Sequence, residues 1–163
     1  MNALFAPPDN DWQPVSPALA RLRRLLLLGW GGLLLVAVVV AGIVLSLPAW
    51  TWVAAAVAVV AGLLSGWVLI GRNAAWWGYA ERDDELYVKH GAMFRSLVVV
   101  PYGRMQYVDV HSGPLDQAFK VASVHLHTAS PGTSAKIPGL PAAEAARLRD
   151  RLTERGETQA AGL

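Results

Sequence analysis

Residues 25–71 contain no Asp, Glu, Lys, Arg or His. As one helix this run would extend roughly 70 Å at about 1.5 Å per residue, whereas the hydrocarbon core of a bilayer is about 30 Å thick. The pattern therefore predicts two crossings. The break falls at Ser46-Leu47-Pro48-Ala49-Trp50 and leaves spans at 25–47 and 50–71. The connection carries no Lys or Arg, while Arg21, Arg23 and Arg24 precede the first span and Arg72 follows the second. The positive-inside rule then predicts a multi-pass membrane protein with both termini cytoplasmic. Tryptophans fit these boundaries: Trp50 and Trp52 at the outer turn, and Trp30, Trp67, Trp76 and Trp77 near or beyond the inner ends. The apolar run is too long, and begins too far in, for a cleaved signal peptide.

Upstream, residues 1–24 read as a cytoplasmic N-terminal arm. The first part is polar and proline-rich (Pro7, Pro8, Pro14, Pro17), and Ser16-Pro17 is a helix-start signal. Along the second span Ala54, Ala58, Gly62 and Gly66 recur every four residues. Small residues let helix backbones approach closely in lipid. The stripe predicts helix packing, either against the first span or against a second copy or partner helix.

Beyond Gly71 the period changes to two. Residues 85–89, 94–100, 107–111 and 120–128 read as strands, with Ala122, Val124 and Leu126 facing one way and Ser123, His125 and His127 the other. His90-Gly91 and Pro131-Gly132 are turn signals, and 135–137 reads as a short last strand. Pro141 then opens a helix to about residue 155 with Ala145, Ala146, Leu148 and Leu152 on its apolar side; Gly156 ends it, and 156–163 reads as a disordered tail. The fold class is membrane α+β: a two-helix transmembrane hairpin followed, over 72–155, by a small antiparallel barrel or sandwich closed by a C-terminal helix.

Composition narrows the chemistry. Hydrophobic residues make up 54% and charged residues 16%, which suits a small membrane protein. The absence of cysteine removes disulfide, thiol and zinc–thiolate chemistry. After Gly71 eleven Lys/Arg meet ten Asp/Glu, with no basic stripe of the kind nucleic acid requires. The spans carry no ionisable residue, which argues against a transporter. There is no nucleophile elbow, phosphate-binding glycine loop or HExxH helix. No enzyme activity, cofactor, metal or small-molecule substrate is therefore expected.

A motif runs through the soluble part: Gly91-Ala-Met-Phe-Arg95, then Val98-Val-Val-Pro101-Tyr-Gly-Arg104-Met-Gln106-Tyr-Val108-Asp-Val110, then Gly113-Pro114-Leu115. Residues 122–129, the Ile137-Pro-Gly-Leu segment with its following helix, and the two preceding spans complete it. Together they resemble the bacterial PH-like domain of YdbS-type membrane proteins. The resemblance implies a curved antiparallel sheet folded into a partly open barrel, capped by a helix, with no established catalysis. One departure stands out. Where the family has an Arg and then a Gly after its G-P-L turn, this chain has Asp116-Gln117-Ala118-Phe119-Lys120. Lys120 at the glycine position implies a backbone with no need of positive φ.

The candidate contacts follow. Met105 and Val108 stand three apart, which breaks strand alternation and predicts a turn after Pro101. There Arg104 and Gln106 either bond loop carbonyls or meet a partner or lipid phosphate. Arg72, Arg82, Arg95 and Arg104 with Trp76, Trp77 and Tyr79 form a candidate basic-aromatic surface for anionic lipid. His125 and His127 share a strand face with His111 near, but lack a third ligand at a recognisable spacing, so a solvated face is expected. The acidic run Glu81, Asp83, Asp84, Glu85 reads as a solvated turn. The functional expectation is a non-enzymatic module that binds or scaffolds another, membrane, protein or a second copy of itself; the alternative is a sensor of anionic headgroups.

Overall fold

The computed structural model describes residues 12–129 and 134–160. The elements are β1 (Gln13–Pro14), α1 (Pro17–Val44), α2 (Ala49–Trp76), β2 (Gly78–Glu81), β3 (Glu85–His90), β4 (Ser96–Pro101), β5 (Met105–His111), α3 (Pro114–Ala118), β6 (Val121–Thr128), β7 (Ala135–Pro141) and α4 (Ala142–Ala160). They form two compact units. The described residues up to Leu19, with those from Asn73 onward, make one; Ala20–Arg72 makes the other.

The helical unit is a hairpin, and each of its helices is long and apolar enough to cross a membrane. Both helices are longer than the apolar run that marks them. Polar residues continue the helical hydrogen bonding into Arg21–Arg24 and Arg72–Asn73. Ser16 caps the start of α1 as expected, its Oγ accepting from Ala18 N at 3.2 Å. The break is a left-handed cap: Ser46 has φ +49°, Leu47 N donates to Gly42 O at 3.0 Å, and Ser46 N donates to Ile43 O at 3.1 Å. These are the two bonds that close an α-helix before a Pro at position 48.

The second unit holds two antiparallel sheets, β1-β2-β3-β4 and β5-β6-β7, with α4 packed on the core. Among the described residues the sheets do not close into a barrel. Alternation fills the interior: Leu86 and Val88 from β3, Val124 and Leu126 from β6, and Ala145, Leu148 and Leu152 from α4 are all buried. The sequence-predicted faces of β6 hold residue by residue. Pro131-Gly132 lies outside the described residues.

Four expectations need correction. The region before the hairpin is not simply an arm, since Gln13 and Pro14 pair with Tyr79 and Gly78, and Val15 and Leu19 are buried in the domain core. A two-residue strand has no period to read. Next, β7 runs through Pro138 to Pro141 rather than ending at Ile137. It is an edge strand and its register slips opposite Ala122–Val124, conditions under which a proline is tolerated. Gly139 has φ +68° and lies so close to Leu19 that a Cβ would stand 2.6 Å from Leu19 Cβ. Third, α4 passes through Gly156 to Ala160. Glycine inside a helix costs only about 1 kcal/mol, and contacts beyond it offset that. Gln159 Nε2 donates to Asp84 Oδ1 at 2.9 Å and its Oε1 accepts from Gly103 N at 3.0 Å. Finally, Lys120 does adopt positive φ, +55°. It follows α3, where the chain must reverse into β6, and it accepts a left-handed backbone that a glycine would suit better.

Candidate interaction surfaces

The turn after Pro101 is present as a single 3-10 turn, Tyr102–Arg104. The three-residue spacing of Met105 and Val108 has a physical cause: β5 is bulged between Met105 and Tyr107, so Gln106 is the extra residue while Met105 and Val108 both pack against the core. Neither the Arg104 nor the Gln106 side chain makes a hydrogen bond or ion pair among the described residues, and both residues are exposed. The turn is held instead by Tyr102. Its ring is fully buried, its hydroxyl donates to Arg82 O at 3.0 Å, and its N–H donates to Asp84 O at 3.0 Å. The Arg155 guanidinium also donates to Arg82 O and lies 5.2 Å over the Tyr102 ring. Burial pushes the Tyr102 phenol up from its usual value. Between β5 and α4 lies a cleft of about 190 Å³ lined by Met105, Gln106, Tyr107, Val108, Leu152 and Gly156 among others. On its other side β5 pairs with no described strand.

The proposed basic-aromatic surface divides. The Arg95 guanidinium carbon stands 3.7 Å over the Trp76 ring. Trp77 instead stacks on His90, centroids 5.0 Å apart, and donates its indole N–H to Asn73 Oδ1 at 3.1 Å. Beside them Lys89 Nζ lies 4.2 Å over Trp12. Tyr79 is buried and belongs to the core. No hydrogen bond, ion pair or ring contact among the described residues joins Arg104 or Gln106 to the Arg95–Trp76 pair.

The acidic run is also only partly solvated. The Glu81 side chain is 9% exposed and takes Arg147 Nη2 at 2.7 Å, with Arg151 at 3.5 Å. Arg147 also binds Glu144, which in turn accepts from the Tyr79 hydroxyl at 2.6 Å. Hydrogen bonds from Arg147 hold the Glu144 carboxyl below its usual value despite burial, while burial first and Glu144 second raise the Tyr79 phenol. This network fastens β2 to α4. Its links across from β2 to α4 have no local sequence signal, because those partners lie more than sixty residues apart.

The histidines do gather. His111, His125 and His127 share the outer face of β5 and β6 with Asp109, which lies 4.0 Å from His111 and 3.7 Å from His127. Tyr107 stacks flat on His127 at 4.3 Å. Among the described residues no three of His, Asp and Glu converge in metal-binding geometry.

In the helical unit the small-residue stripe splits. Gly66 packs on Leu27. Ala54, Ala58 and Gly62 are exposed, and a Cβ on Gly62 would meet nothing within 4 Å. The two helices touch through other residues: Gly31 under Leu63, Gly42 under Trp52, and Arg24 stacked 4.5 Å over Trp67. Packing of span on span therefore accounts for Gly66 and not for the other three. A four-residue repeat advances 400° against a 360° turn, so the stripe drifts off the contact face.

These features have relatives. The bacterial PH domain family matches residues 21–156. The UPF0699 transmembrane protein YdbS of Bacillus subtilis (strain 168) is 29% identical over 147 residues, which cover 90% of this chain and 91% of that one. No solved structure matches. Two long apolar helices preceding two antiparallel sheets and a packed C-terminal helix, matched along most of their length by one family, place this membrane protein in the bacterial PH domain family.

Proposed function

We propose that this chain is a non-enzymatic, membrane-anchored PH module whose domain lies on the cytoplasmic face of a bacterial inner membrane and binds or scaffolds another membrane protein. The observation that carries the reading is the β5 edge beside α4. An extended segment of a partner can add to an open strand edge, with backbone hydrogen bonds giving affinity and a neighbouring groove giving specificity. Here the bulge at Gln106 presents that side chain and Tyr107 at the rim of the cleft, with Arg104 in the turn that immediately precedes β5. The topology is supported by the arginines flanking the hairpin and by the domain being assembled from chain on both sides of it. An even number of crossings is what such a domain requires.

A photo-crosslinking amino acid at Arg104 in cells tests this, with Gly62 as a second position. A discrete adduct of another membrane protein from Arg104 is the expected result. Adducts to lipid alone would end the scaffold reading and leave the second one, a headgroup-contacting domain, which the Arg95–Trp76 stack favours. Self-adducts from Gly62 would identify the open part of the small-residue stripe as a contact between copies.

A further inference from the structure

The loop between β3 and β4 points to a second membrane contact, separate from the two spans. Gly91 has φ +93°, and the carbonyl of Phe94 folds back onto its Cα where any Cβ would collide. This tight return turns the tip outward. Met93 is 74% exposed and Phe94 86%. Phe94 is the most exposed large apolar side chain among the described residues, more so than those of the two apolar helices. An exposed Phe-Met pair on a small soluble tip calls for a covering partner.

The neighbours indicate which partner. Arg95, the next residue, stacks on Trp76, and Trp76 is the last residue of α2. The apolar run ends at Gly71, so five helical residues at about 1.5 Å each carry Trp76 roughly 8 Å beyond it. That is about the depth of one headgroup layer, the difference between a bilayer of roughly 40–45 Å and its core of about 30 Å, halved. Trp76 thus lies where indoles prefer to lie, and Arg95 lies there with it. The Lys89–Trp12 and His90–Trp77 pairs extend the same end of the sheet with amphipathic and basic groups. A guanidinium that stacks through its face presents its donors in its own plane, the geometry that suits phosphate.

We propose that Met93 and Phe94 insert into the interfacial layer of the bilayer that α1 and α2 span, with Arg95 against the phosphate of an anionic phospholipid. The proposal rests on the headgroup-contact reading above and does not involve the β5 edge.

The test uses the full chain in lipid nanodiscs. The sequence has no cysteine, so Phe94→Cys takes a single environment-sensitive fluorophore without background. Asp150→Cys, on an exposed stretch of α4, is the aqueous control. In discs containing phosphatidylglycerol the label at 94 is expected to shift to the blue and to be quenched by lipids spin-labelled near the headgroup. The label at 150 should do neither. Adding Arg95→Glu should cut the quenching at 94 at least twofold. Emission at 94 indistinguishable from that at 150 overturns the insertion. Quenching that is equal in pure phosphatidylcholine discs and unchanged by Arg95→Glu overturns the anionic-headgroup contact. Failure of the chain to enter discs at all is a separate observation, and it would strike the membrane-spanning reading itself.

Discussion

At Lys120 and Gly139 a single backbone angle decides what a residue contributes. Lys120 holds φ +55° although it carries a side chain. The left-handed region costs a residue with a Cβ roughly 1–2 kcal/mol. Lys120→Gly should therefore raise stability by about 1 kcal/mol, read as an increased midpoint of thermal unfolding in detergent micelles. A fall in the midpoint would show that the lysine side chain contributes more than its backbone costs. Gly139 is the reverse case. Its positive φ and the nearness of Leu19 both exclude a Cβ. Gly139→Ala combines the backbone cost with overpacking of about 1–3 kcal/mol, so a loss of about 3 kcal/mol is expected in the same assay. The Lys120 angle was not legible from the chain: a lysine argues against positive φ, and only the return from α3 into β6 imposes it.

At the scale of elements, the β5–β6–β7 sheet carries a pH dependence. His125 Nε2 is buried without a hydrogen-bond partner among the described residues. The charged and titratable groups facing it are Asp109 and His111 from β5, His127 from its own strand and Lys136 from β7. Burial first, then Lys136 and the other imidazoles, depress its pKa, with Asp109 opposing them. The unfolded chain then binds a proton near pH 6.5 while the folded chain does not, so stability falls as pH drops through about 6.5 and levels off below the folded pKa. His125→Asn should flatten that part of the stability profile in denaturation series between neutral and mildly acid pH; an unchanged slope would assign it to other groups. The strands and the faces of β6 were readable because period two survives in a half-buried sheet. The extent of β7 was not, because Pro138 and Gly139 look like an ending and are instead an edge and a bulge. In α4 the same happened at Gly156: local propensity marked a stop, and Arg155 and Gln159, bonded to Arg82 and Asp84, carried the helix past it.

At the scale of the whole molecule, the domain is interrupted in sequence by its own anchor. Val15 and Leu19 fill the core of a unit whose remaining strands begin at Gly78. Leu19→Ala should cost about 2–5 kcal/mol, the range for a buried leucine. The loss should appear as faster hydrogen exchange in β7, against which Leu19 packs through Gly139. Unaltered protection there would detach α1's first turn from the domain. The membrane hairpin was legible at once because the absence of charge over 25–71 admits one physical solution. The candidate contacts were legible as residue types only. Arg95 and Trp76 are joined, while Arg104 in the turn before β5 and Gln106 on β5 make no hydrogen bond, ion pair or ring contact with that pair among the described residues, and that division depends on pairings across sheets that no local pattern encodes.

The pairing of β1 with β2 also orders events in time. Gln13 and Pro14 leave the ribosome first, and their partners, Tyr79 and Gly78, follow only after the whole hairpin. At about 5–20 residues per second that is a wait of several seconds. The domain's first strand idles while the spans enter the bilayer, and the second span must return to the side it left before the sheet can be completed. A chain whose hairpin stalls half-inserted leaves Val15 and Leu19 on one side and their cavity on the other. A mis-inserted copy is therefore expected to be left with an unfinished core, so that completion of the fold follows insertion of both spans.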